Sequence, residues 1–158
     1  MLGVVAVIGV ALAVAWPTPE PGTTISAGSV GNYEPNSVTH LEDSHFFLVR
    51  LADGSFLALH DLATGHLNDP IEWRPNFTFD GETGWFRSPF HGETYDREGS
   101  LVAGPAARGM DRYPLKIAEG RIIVDTAIAY CGDGLPSDIA GGRDQCELGL
   151  VYPVGAPE

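Results

Sequence analysis

The sequence predicts an all-β domain, a small antiparallel barrel or sandwich, behind an apolar amino-terminal helix that anchors it to a membrane. Three observations predict it. No window beyond residue 16 sustains a helical apolar period. Short apolar runs alternate with Gly- and Pro-containing turn signals instead. Two pairs of these runs are joined by tight turns of hairpin type, Asp53-Gly54 and Glu119-Gly120.

Residues 1–16, MLGVVAVIGVALAVAW, carry no charge. As a helix this run spans about 24 Å, short of the roughly 30 Å hydrocarbon core of a bilayer. Two readings stay open. One is a membrane anchor completed by neighbouring subunits or by bilayer thinning. The other is a secretory apolar core, although the basic leading region is missing. The anchor is favoured. Gly3, Gly9, Ala11 and Ala13 let another helix approach closely, and Trp16 suits the interface.

Residues 17–45 read as a linker and an irregular segment. Pro17, Pro19 and Pro21 favour extended, semi-stiff chain. Residues 23–36 are polar and contain glycine, the composition of chain lying on a partner.

Residues 46–126 read as the β domain. Phe46–Leu51 and Phe56–Leu59 flank Ala52-Asp53-Gly54-Ser55, the first hairpin. Arg74–Gly84 reads as an insertion that reaches a partner. It holds the triplet Asn76-Phe77-Thr78, a glycosylation sequon that arises often by chance and is expected to be unused. Trp85-Phe86 leads into a loop around His91, and Ser100-Leu101-Val102 leaves it. Tyr113–Ile117 and Arg121–Val124 flank Ala118-Glu119-Gly120, the second hairpin.

Residues 127–158 read as a carboxy-terminal extension. Cys131 and Cys146 are the only cysteines of the chain. In an exported protein a pair at this spacing is expected to form a disulfide. Closing such a loop stabilises by roughly 3 kcal/mol in the chain-entropy description. The alternative is two free thiols in a reducing compartment. Asp133, Asp138 and Asp144 lack the spacing of a calcium loop and read as turn formers.

Composition excludes several classes. A chain of 158 residues suits one domain with short appendages. An apolar content of 44% is that of a folded protein. The net charge of −12 argues against nucleic acid, which wants a basic face. No nucleophile elbow, phosphate loop or paired-carboxylate motif is present, and Ser88 before Pro89 is no catalytic turn. Catalysis is not expected.

Two stretches remain. The first is Thr64-Gly65-His66-Leu67-Asn68-Asp69-Pro70-Ile71-Glu72-Trp73. The second is Arg87-Ser88-Pro89-Phe90-His91-Gly92-Glu93-Thr94-Tyr95-Asp96, followed by Gly99 and by Val102-Ala103-Gly104-Pro105-Ala106. Together they resemble the two cluster-binding loops and the proline loop of Rieske iron–sulfur proteins, over roughly Phe46 to Thr126. The respiratory, cytochrome bc-type subunits of that family are the members the layout resembles. Such proteins hold a two-iron, two-sulfur cluster with two Cys on one iron and two His on the other.

Carried over residue by residue, the resemblance places His66 and His91 at the two ligand histidines. Thr64 (or Ala63, if the loop carries one extra residue) and Ser88 stand at the two ligand cysteines. Asp69 and Phe90 stand at the cysteines that form the loop-to-loop disulfide in respiratory members. Glu93 replaces a serine, and Tyr95 sits where the family often has an aromatic. Hydroxyls are poor substitutes for a soft thiolate, so the iron–sulfur cluster is expected to be absent.

The resemblance then implies a cluster-less, membrane-anchored accessory or structural subunit of a respiratory or photosynthetic electron-transfer complex. Its globular part would stand on the periplasmic or extracytoplasmic side. Its partners would be the other subunits, the bilayer through residues 1–16, and a soluble electron carrier. No cofactor is expected. Two further readings stay open. One is a redox or metal-binding protein with a mononuclear metal on His66 and His91, helped by Asp69 or Glu93. The other is a free-standing exported binding module.

Overall fold

The computed structural model describes residues 24–64, 69–132 and 151–153. Among these residues thirteen strands form in chain order: β1 (Thr24–Ser29), β2 (Ser37–Leu41), β3 (Phe46–Arg50), β4 (Phe56–His60), β5 (Glu72–Phe79), β6 (Glu82–Arg87), β7 (Thr94–Tyr95), β8 (Leu101–Ala103), β9 (Arg112–Tyr113), β10 (Leu115–Ala118), β11 (Arg121–Asp125), β12 (Ile128–Tyr130) and β13 (Val151–Pro153). They make three sheets, ordered β1-β11-β10, β13-β12-β9-β4-β3-β2 and β5-β6-β7-β8. Every strand pairing is antiparallel. The predicted all-β class is what the described residues show. Among them, no helix is long and apolar enough to cross a membrane. The anchor expected at 1–16 lies outside them.

Strand β3 explains the layering. Its residues Phe46-Phe47-Leu48-Val49 are all buried. Successive side chains of a strand point to opposite faces, so a continuous apolar run needs a core on each side. Phe46 and Leu48 pack with Phe56, Ala58, Tyr113, Ile122 and Val124. Phe47 and Val49 pack with Leu59, Ile71, Phe86, Tyr95 and Met110. The second core is the one that supports the four-stranded sheet. Phe47 and Phe86 meet there at 4.9 Å between ring centroids.

Both predicted hairpins form, β3–β4 and β10–β11. In the first, Asp53 Oδ1 accepts the Ser55 N–H at 2.9 Å and the Ser55 hydroxyl at 2.7 Å. These bonds hold the carboxyl of Asp53 below its ordinary pKa.

Three stretches take on structure that the sequence reading did not give them. Segment 17–45 is not irregular throughout, because β1 and β2 lie in it. Ile25 and Ala27 turn inward against β11. A bulge at Gly28 breaks the alternation that would have revealed the strand. Arg74–Gly84, read as an insertion, takes a defined form. It is the body of hairpin β5–β6, turned at Asp80-Gly81 with φ of 49° and 82°. Those positive values are what a two-residue hairpin turn requires. Pro75 falls inside the register shift between Arg74 and Thr78, on an edge strand where a missing N–H is tolerated. Finally, chain beyond residue 126 joins a sheet. Strand β12 lies within 127–158 and joins the six-stranded sheet beside β9.

Candidate functional site

Two loops meet at one end of the four-stranded sheet. The β4–β5 loop leaves His60 and returns at Glu72; the β6–β7 loop spans 88–93. The first is closed at its base by a Leu62–Pro70 bridge. Ala63 N–H donates to Asp69 O at 2.8 Å and Ile71 N–H to Asp61 O at 2.7 Å. The second is closed by Ser88 N–H to Glu93 O at 3.0 Å and Gly92 N–H to Ser88 O at 3.2 Å. Between the loops, His91 Nδ1 lies 2.6 Å from Asp69 Oδ2. The chain thus brings together the second predicted histidine and one of the two positions assigned to the loop-to-loop disulfide. His66, the other predicted histidine, lies outside the described residues.

Thr64 and Ser88, which the resemblance sets against ligand cysteines, are buried. Ser88 Oγ accepts the N–H of Phe90 at 3.3 Å and of His91 at 3.2 Å. Thr64 Oγ1 donates to Arg108 O at 3.2 Å. Each side chain is therefore engaged in holding backbone. By contrast Phe90 is 67% exposed.

A third segment covers this end. Gly104 adopts φ +111°, and a Cβ there would stand 2.6 Å from Glu93 Cα. Only glycine permits so close an approach. Glu93 beneath it is fully buried. Farther along, buried Arg108 and Asp111 form a two-toothed ion pair, with Nη2 to Oδ2 at 3.3 Å. Asp111 Oδ1 also accepts the N–H of Gly132 at 3.3 Å, so the chain beyond β12 is tied to the same segment. Tyr95 fills the space below. Its phenol is pushed up to about 12, first by burial and also by the Glu93 charge, with the nearby Thr64 hydroxyl and the Arg108 charge opposing only in part.

The donor chemistry does not fit a two-iron cluster. Such a cluster takes thiolates. Here the corresponding positions hold two buried hydroxyls already used by the backbone. A mononuclear metal on His66 and His91 is a separate matter. Among the described residues no group of three His, Cys, Asp or Glu side chains is arranged for one. His66 is not among them. Cys131 is half-buried and is not a free thiol; Cys146 lies outside the described residues.

Sequence reasoning missed two groups. The Arg108–Asp111 pair had only its three-residue spacing as a signal. The other surrounds Asp61, whose side chain is 9% exposed. His40 Nε2 lies 3.0 Å and His45 Nδ1 3.5 Å from its Oδ2. These histidines carry no motif, and only the pairing of β2 with β3 and of β3 with β4 brings them to Asp61. A cleft of about 520 Å³ is lined by residues of neither loop, among them Asp53, Glu82, Trp85, Asp96, Arg97 and Glu98.

No protein-family model matches the chain, and no curated protein matches it. Solved structures do. One is described as the small subunit of an NADPH nitrite reductase. It is 12% identical at a TM-score of 0.37, over 65% of this chain and 97% of its own. Another, from Mycobacterium tuberculosis, is described as the small subunit of an NADH-dependent nitrite reductase. It is 22% identical at a TM-score of 0.36, over 67% of this chain and 96% of its own. Likeness at these scores bears on neither activity nor partners.

Proposed function

We propose that the chain is a cluster-less Rieske-like subunit that docks within an electron-transfer assembly at a membrane and takes no part in the redox chemistry. One observation carries this reading. At the two positions where the resemblance puts sulfur ligands, Thr64 and Ser88 are buried hydroxyls spent on backbone hydrogen bonds. The loops keep their shape through their own contacts and present Phe90 outward. A loop end built this way can bind a neighbouring subunit without carrying an electron. The uncharged run 1–16 supports a place at a bilayer.

The test is iron content and assembly state of the native complex, purified with its full-length chain. The reading expects no iron assigned to this chain and a complex that loses the chain when Phe90 is replaced by Asp. Stoichiometric iron bound by this chain, with the electron paramagnetic signal of a Cys/His-ligated cluster, overturns the cluster-less reading. A lone monomer after native purification overturns the subunit role.

A further inference from the structure

We propose that Arg87 is the polar half of the docking surface, and that its guanidinium receives a carboxylate of the neighbouring subunit beside the place where Phe90 makes the apolar contact. The proposal rests on the docking role and names the chemistry that the partner must present.

Arg87 is the last residue of β6, where the chain enters the 88–93 loop. Its guanidinium carbon sits over the Phe77 ring, 4.5 Å from the centroid. Nη2 lies close to the return of the loop, since a Cβ on Gly92 would stand 3.8 Å from it. Phe90 comes two residues before Gly92, so their Cα atoms are at most about 7 Å apart. The cation and the exposed ring therefore share one end of the loop.

The guanidinium is held in place, yet its donors are not spent. A contact over a ring face fixes the cation and consumes none of its five N–H groups. Among the described residues those groups make no hydrogen bond or ion pair. The carboxylates of the adjoining chain are engaged elsewhere. Glu72, directly across on β5, pairs with Arg74. Asp69 pairs with His91. Glu93, in the same loop, is fully buried. In a chain of net charge −12 this is a local excess of positive charge, and it complements an acidic group from outside.

The open N–H fork matches the two oxygens of a carboxylate. The surroundings select a protein as its source. Small anions are held in concave sites, and the cleft of about 520 Å³ is lined elsewhere. Here the fork adjoins a ring that is 67% exposed. Arginine next to an aromatic is the composition of the energetic centre of protein–protein contacts. The occupant is an Asp or Glu side chain of a partner subunit, flanked by an apolar patch that takes Phe90.

The experiment uses the native complex purified with the full-length chain. Native mass spectrometry through a dilution series gives the concentration at which the chain leaves. Arg87→Gln is expected to raise that concentration about ten- to a hundredfold, the loss of one charge-assisted hydrogen-bonded contact. Arg87→Lys keeps the charge without the fork and is expected to fall between Arg87→Gln and the parent. In the Arg87→Lys complex a carbodiimide is expected to join the new amine to an Asp or Glu of another subunit, located by peptide mapping. Parent-like retention of Arg87→Gln, with Phe90→Asp still dissociating, overturns the carboxylate contact and leaves the docking role standing. A parent chain that purifies alone overturns both. A carbodiimide product confined to Glu72, or none at all, also overturns the contact, and it decides alone should Arg87→Gln fail to fold. Acetate or inorganic phosphate binding the isolated chain at Arg87, with the complex indifferent to Arg87→Gln, marks a small-anion site and overturns it too.

Discussion

Replacing Ser88 by Ala separates a hydroxyl that holds a loop from one that is merely left over. The Ser88 side chain is 1% exposed in its residue and accepts two backbone N–H groups, from Phe90 and His91. A typical hydrogen bond contributes about 1 kcal/mol net. At 3.2 and 3.3 Å both are on the long side, and both donors are only partly buried. The two together are therefore worth about 1–2 kcal/mol rather than the upper end of the range. For a domain of this size that is a fall in Tm of roughly 4–8 °C. The assay is urea unfolding followed by near-ultraviolet circular dichroism, with Tm from calorimetry. A loss under about 0.5 kcal/mol would show that water replaces the hydroxyl at no cost, and the loop-holding role would fall. Ser88→Cys keeps an acceptor, though a weak one. It is expected to lie between the parent and Ser88→Ala.

Three further outcomes are expected. Gly104→Ala pushes a Cβ to 2.6 Å from Glu93 Cα at φ +111°, backbone against backbone, and should cost on the order of 3 kcal/mol in chemical unfolding; a neutral result would mean that the covering segment does not rest on Glu93. Tyr95, with its phenol pushed up to about 12 mainly by burial, holds its proton in the folded state after the unfolded chain has released it. Its contribution is therefore present below about pH 10 and lost as pH rises toward 12, and a stability–pH curve for Tyr95→Phe should be flatter in that range than the parent curve. Cys131→Ser should lower stability by about 3 kcal/mol if Cys131 and Cys146 pair as expected, and non-reducing peptide mapping of the parent checks the pairing directly.

What was legible in the sequence divides along physical lines. Hairpins β3–β4 and β10–β11 could be read because their turns are local: Asp53-Gly54 and Glu119-Gly120 carry their own backbone chemistry. Strand β1 could not, since Thr24–Ser29 is held by pairing with β11, nearly a hundred positions away, and its bulge spoils the period-two pattern. The β5–β6 hairpin hid behind Pro75, which argues against a strand unless the strand is an edge. Of the candidate site, the Ser88–Glu93 loop and its glycine-covered lid at Gly104 were visible as a motif. The approach of Asp69 to His91 was implied only by resemblance. Arg108, Asp111 and the histidines around Asp61 were invisible, because each pairing is made by the packing of distant segments rather than by spacing.

The contacts at the loop end differ in weight. The Asp69–His91 pair stands where the resemblance puts a disulfide partner beside a ligand, and it is tempting to give it the disulfide's work. It cannot do that work. His91 is 44% and Asp69 21% exposed in their side chains, and an ion pair that open contributes roughly 0–1 kcal/mol after screening. A disulfide in a small domain contributes about 2–4 kcal/mol. Buried groups hold the loop end more firmly. Ser88 and Thr64 tie their loops to backbone from inside, Gly104 lets the covering segment rest directly on Glu93, and Tyr95, Ile71 and Phe86 fill the core beneath. The loop end is consequently a packed structure that stands on its own contacts. Its outer surface carries Phe90, 67% exposed.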